Sequence, residues 1–157
     1  MIPDELINNC IKNGYSISAD KQLLDVDFVY YLLVNESYWA KGMPEEVFKR
    51  AVENSICFGI YKDGATVGFA RVISDKATFA YICDVFISTE HRGYGLGKCL
   101  ISTIRNYPEL QGLRRWSLAT KDAHGLYAQF GFVPFAEPNH WMEIKTPYII
   151  KQEGHEH

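Results

Sequence analysis

The run "ATFAYICDVFIS" (residues 77–88) is almost wholly apolar and is followed at once by "HRGYGLGKCL" (residues 91–100). An antiparallel strand with one wet face alternates polar and apolar residues. A continuous apolar run reads instead as a strand buried on both sides, near the middle of a sheet. Gly93, Gly95 and Gly97 then alternate through the turn, at a conformational-entropy cost that a plain connector avoids. "LGKCLISTIRNY" behind them carries helical periodicity and stops before Pro108. A buried strand, a glycine turn and a helix in that order require a sheet with helices packed on its faces. They also make an anion cradle, because unpaired N–H groups at a helix start point at whatever sits there.

The rest of the chain fits around this unit. "YSISAD" reads as a short first strand. "LDVDFVYYLLVNE" spaces Leu24, Phe28, Tyr31 and Leu32 on one helix face, with Asp25 and Asp27 at its positive end. Pro44 and "EEVFKRAVEN" start a second helix. From Ser55 the period changes, and two strands meet at Lys62-Asp63-Gly64, a strong hairpin signal. A further turn at Ser74-Asp75-Lys76 leads into the long strand. After the glycine-turn helix come the strand "RRWSLAT" and the helix "DAHGLYAQFGF", with Asp122 as its cap and Gly131 at its end. "FVPF" and "HWMEIK" read as two closing strands. The chain is expected to form a single domain over residues 1–157, with 150–157 as a flexible tail.

Three phosphate-binding devices share the strand, turn and helix. A Walker loop needs a glycine where Arg92 stands and a hydroxyl residue where Cys99 stands, so it is excluded. The dinucleotide fingerprint needs a glycine at Lys98 in a chain-opening unit, which fails as well. The third device is a turn of the form Arg-x-x-Gly-x-Gly, met by Arg92, Gly95 and Gly97.

With this turn, the downstream stretch "AHGLYAQFGF" and the order of elements, nearly the whole chain resembles the GNAT superfamily of acyl-CoA-dependent N-acetyltransferases. The resemblance implies a mixed, mostly antiparallel α/β sheet of about seven strands, splayed between strands 4 and 5 and flanked by about four helices. It implies acetyl-CoA as acyl donor, its pyrophosphate held by Arg92, Gly93, Tyr94, Gly95, Leu96, Gly97 and Lys98. Main-chain groups of Val85, Phe86 and Ile87 would pair with the pantetheine arm like an added strand. Tyr127 matches the family's general acid. Thr120 stands where many relatives place an asparagine, and is kept as a cofactor contact through its hydroxyl. Tyr81 stands where some relatives carry a glutamate base.

Asp84 is the sole acid inside the long apolar strand, where a carboxylate is costly without a partner or a task. It, or an ordered water, is the candidate base that takes the proton of an attacking ammonium. His124 is expected on a helix surface. Tyr38, Trp39 and Trp141, with Tyr81, are the candidate acceptor-binding residues, because aromatic faces attract cationic amines. The acceptor is thus expected to be a small-molecule or peptide amine. A non-catalytic acyl-CoA-binding module on the same fold is the alternative.

The net charge of −3 gives no electrostatic footprint for nucleic acid. No apolar run is long enough to span a bilayer, and "MIPDELINNC" reads as neither a basic leader nor an apolar core, so no membrane partner and a cytoplasmic location are expected. Cys10, Cys57, Cys83 and Cys99 have no metal-ligand spacing, so no metal is expected and all are read as reduced core thiols. A small domain with open sheet edges often dimerises, and a homodimer is one option for the oligomeric state.

Overall fold

The computed structural model describes residues 3–148. The expected tail at 150–157 lies outside them. Helix α1 (Pro3–Lys12) leads into β1 (Tyr15–Ser18). Helices α2 (Val26–Glu36) and α3 (Glu45–Glu53) follow, then the meander β2 (Ile56–Lys62), β3 (Ala65–Ser74) and β4 (Phe79–Ile87). Helix α4 (Leu96–Arg105), strand β5 (Arg115–Leu118) and helix α5 (His124–Ala128) complete the regular elements. The sheet runs in the order β1-β2-β3-β4-β5, antiparallel except for the parallel pair β4/β5.

Local chemistry explains the boundaries. Asp25 caps α2 by accepting the Phe28 N–H at 3.1 Å. Asp63 and Gly64 both take positive φ, 51° and 80°, as a tight hairpin between β2 and β3 requires. Asp75 gathers the N–H groups of Ala77, Thr78 and Phe79 and the Thr78 hydroxyl, closing the turn into β4.

Each face of the sheet has its own core. Phe58, Ile60, Val72, Ala80 and Ile82 pack with α1 and α4. Cys57, Phe69 and Phe86 pack with α2 and α3. Ile82 and Phe86 are both even-numbered residues of one strand, yet they face opposite cores. The register explains this: Phe69 pairs with Phe86 but Arg71 with Cys83, so β4 holds one extra residue at Asp84–Val85. That bulge swaps the faces of everything beyond it.

Three expectations need correction. The sequence reading gives about seven strands and four helices, whereas the described residues form five strands and five helices. The extra helix is α1, whose buried Leu6 and Cys10 lie one turn apart. The missing strands are "FVPF" and "HWMEIK": Pro134 removes a ladder donor from the first, and the second finds no neighbour within the described residues. Finally, Cys10 and Cys99 are not reduced thiols but form a disulfide that ties α1 to α4. Cys57 and Cys83 are free, and burial pushes their thiols up to about 11 and about 12.

Candidate active site

β4 and β5 pair only from Phe79–Ile82 against Arg115–Leu118. Beyond Ile82, β4 runs on to Ile87 with no partner from β5, so the two strands part where Asp84 introduces the bulge. Asp84 holds φ at 52°, in the left-handed region that aspartate tolerates better than most residues. Its carboxylate accepts a 2.8 Å hydrogen bond from Arg71 Nε, and Arg71 also donates to Ser55 Oγ at 3.1 Å. Arg71 was not singled out from sequence. The available signal was a lone cation in the apolar run of β3, brought opposite a lone anion by the turn between β3 and β4.

Past the bulge, the Ser88 N–H donates to Val67 O of β3 at 2.8 Å. Since main-chain groups alternate along a strand, those of Ile87 and Val85 face the gap. The Ile87 carbonyl accepts from Arg92 Nε at 3.0 Å, which anchors the first residue of the glycine turn to the end of β4. Phe86 points its side chain into the core beside α2 and α3 and offers the gap no side chain.

The turn then opens α4. Gly93 and Gly95 take φ of 87° and 76°, and a Cβ built on either would meet nothing within 4 Å. Both therefore border open space rather than packed protein. Gly97 differs: its added Cβ would meet Leu126 at 3.5 Å, an ordinary contact. The first helical bond runs from Cys99 N–H to Gly95 O at 3.1 Å, so the N–H groups of Leu96, Gly97 and Lys98 have no intrahelical partner. Tyr94 is exposed and Leu96 is buried, so of the two residues between the glycines only Tyr94 borders solvent. These features fit an anionic diphosphate: bare backbone, free donors and two cations, Arg92 and Lys98.

Tyr127, 7% exposed, lies on α5 and borders a cavity together with Thr120 and His124. Burial raises its pKa above the ordinary 10.0, so its phenol stays protonated. Thr120 accepts the Ala123 N–H at 3.0 Å, just ahead of α5, and α5 has no side-chain cap, so the expected Asp122 cap is not formed.

The acceptor candidates fall into separate places. Tyr38 and Trp39 meet edge to face at 5.2 Å, and Lys121 lies over the Tyr38 ring at 5.3 Å, just past the end of β5. Trp141 instead lies over Arg115, the first residue of β5, and stacks on Phe135 at 4.3 Å. Tyr81 is half-buried on β4, paired with Ser117. No helix among the described residues is long and apolar enough to cross a membrane.

Comparison with known proteins agrees with this arrangement. The family model of the acetyltransferase (GNAT) domain matches residues 53–134, from the end of α3 to just past α5. A Gibberella zeae protein assigned to the acetyltransferases is 32% identical over 143 residues, 77% of this chain and 80% of that protein. A crystal structure from Xanthomonas campestris, assigned to the GNAT family, superposes with a TM-score of 0.84 at 48% identity, over 88% of this chain and 97% of that one. A Clostridium acetobutylicum protein assigned to the acetyltransferases and solved with acetyl-CoA shares the fold at a TM-score of 0.62 and 15% identity, covering 83% of this chain and 94% of that one.

Proposed function

This chain belongs to the GNAT acetyltransferase family, and we propose that it moves an acetyl group from acetyl-CoA to a primary amine of a small molecule or peptide. The observation that carries this reading is the parting of β4 from β5 after Ile82 and Leu118, on the strand that leads into a glycine turn with free donors. Bound acetyl-CoA supplies an activated thioester. The N–H groups of Leu96, Gly97 and Lys98, with Arg92 and Lys98, bind the pyrophosphate. Main-chain groups of Val85 and Ile87 line the gap and orient the pantetheine arm by strand-like pairing.

Around the reacting carbon the chain has two proton-handling groups. The bulge turns main-chain N–H groups of β4 away from β3, where they stabilise negative charge developing on the carbonyl oxygen. Tyr127 holds a phenolic proton and delivers it to the departing sulfur. Asp84, directly or through an ordered water, takes the proton that the attacking ammonium must lose. Its Oδ2 is engaged by Arg71, which leaves Oδ1 for this task. Tyr38 and Trp39, with Tyr81 on β4, form the acceptor approach.

A thiol-release assay over polyamines, aminoglycosides, amino acids and peptides tests the proposal. Release dependent on an amine supports it. Stabilisation by acetyl-CoA without release for any amine would reduce the protein to an acyl-CoA-binding module.

A further inference from the structure

Tyr15 opens β1 and is only 3% exposed, in the core that α1 and α4 cover. A phenylalanine would fill nearly the same volume, so the buried phenol is costly unless it finds a partner. The partner lies 76 residues away: the Tyr15 hydroxyl and His91 Nδ1 share a hydrogen bond of 2.9 Å. Either tautomer keeps this bond, because the phenol donates to a bare Nδ1 and accepts from a protonated one. The same ring meets the His91 ring edge to face at 5.7 Å and the Tyr94 ring, tilted, at 6.3 Å. Lys62 of β2 lies over it at 4.8 Å.

His91 and Tyr94 bracket Arg92 and Gly93, the entry to the glycine turn. Two main-chain bonds lead into it, from His91 N–H to Ser88 O at 2.9 Å and from Arg92 N–H to Thr89 O at 3.3 Å. The chain then passes through Gly93 and Gly95, both at positive φ with open space where a Cβ would stand. Bare glycine backbone lets N–H groups approach a phosphate, and for the same reason it does not hold its own shape. The far end of the turn is fixed, since Cys99 in the first turn of α4 is joined to Cys10 of α1. Cys10 and Tyr15 lie five residues apart. The α1–β1 segment therefore grips the turn on both sides, by a disulfide behind it and by one hydrogen bond ahead of it. A turn ordered before the ligand arrives loses less freedom on binding.

We propose that Tyr15 and His91 are positioning residues for the cofactor: their hydrogen bond holds the entry of the diphosphate turn in its binding geometry and so sets the affinity for coenzyme A. They act through Arg92, Gly93 and Tyr94 rather than on the cofactor itself. The inference rests on the diphosphate reading of that turn.

Calorimetric titration with coenzyme A, beside amide hydrogen exchange of the free protein, tests it. Tyr15→Phe and His91→Leu each remove the bond and keep most of the packed volume. Both are expected to bind coenzyme A about 10-fold more weakly, the worth of one such bond. In the free variants the amides of His91 and Arg92 should exchange about 10-fold faster, while that of Ser88, bonded to Val67 O of β3, keeps its wild-type rate. His91→Asn sets a polar atom near the place of Nδ1 and is expected to restore both wild-type values. Unchanged affinity in Tyr15→Phe and His91→Leu would overturn the proposal. So would faster exchange at Ser88 to the same degree, which marks a general loss of stability. A loss in His91→Asn as large as in His91→Leu would place the imidazole on the cofactor and overturn it too. Should His91→Leu fail to fold, Tyr15→Phe, which removes only a hydroxyl, decides. A wild type that does not bind coenzyme A would remove the diphosphate reading itself, and the proposal with it.

Discussion

Arg71 Nε and Asp84 Oδ2 meet at 2.8 Å across the β3–β4 bulge, with the two side chains only 16% and 11% exposed. The pair ties the one strand irregularity of the site to β3 and, through Ser55, to the end of α3. A left-handed aspartate is thus held in place by a cation on the neighbouring strand.

Replacing either partner separates the structural from the chemical role. Arg71→Met leaves a largely buried carboxylate unpaired and is expected to cost about 3–5 kcal/mol, read as a lower denaturant midpoint. Asp84→Asn retains a bond acceptor and tolerates positive φ, so it should fold. With Asp84 as base, this variant loses about 10²–10⁴-fold in kcat/KM. An unchanged kcat/KM assigns the base to water.

Tyr127→Phe should fold, since it removes only a hydroxyl. The general-acid role predicts a kcat lower by about 10²–10⁴-fold with little change in the affinity for acetyl-CoA. Steady-state kinetics and calorimetry measure the two separately. An unchanged kcat would leave Tyr127 as a packing residue against Phe132, whose ring it meets at 5.9 Å.

Gly95 and Gly125 predict opposite signs for the same substitution. Gly95 has φ of 76°, so Gly95→Ala is strained by about 1–2 kcal/mol and places a methyl group in the open space proposed to take the diphosphate. Weaker acetyl-CoA binding and a lower Tm are expected together. Gly125 lies within α5 with nothing near its added Cβ, so Gly125→Ala should raise stability by about 0.5–1 kcal/mol.

Alkaline pH should destabilise the fold earlier than acid–base chemistry of exposed groups suggests. Burial raises the thiols of Cys57 and Cys83 to about 11 and about 12, and raises the phenols of Tyr61, Tyr81 and Tyr127. A raised folded value means that this contribution is intact below the ordinary thiol value of 9.0. It is lost as unfolded thiols and phenols ionise while the folded ones cannot. Urea midpoints should therefore fall progressively above pH 9. Cys57→Ala/Cys83→Ala should flatten the first part of that fall.

Much of the site was legible because its signals are local. Glycines at alternate positions, a helix beginning after them and a tyrosine in "AHGLYAQFGF" lie within short windows, and the structure places them on the turn, α4 and α5 as read. The two hairpin turns follow from residues adjacent in sequence for the same reason, whereas the expected Asp122 cap and Gly131 end of α5 do not hold, its flanking residues being Ala123 and Gln129. The bulge was not legible: an extra residue in β4 is defined only against β3, and the apolar run reads identically with or without it. Arg71 was missed for a related reason, because a cation in one strand and an acid in another become a pair only once the register is set.

The amino-acid sequence alone determined the layered α/β plan and the glycine turn, since periodicity and backbone freedom are properties of consecutive residues. Tertiary structure alone decided that Cys10 meets Cys99, that Phe86 turns to the opposite core from Ile82, and that "HWMEIK" is no strand within the described residues. Each of these depends on what lies across from a residue rather than beside it. A strand in particular satisfies its peptide groups only through a neighbour, so no sequence pattern can make one where the neighbour is missing.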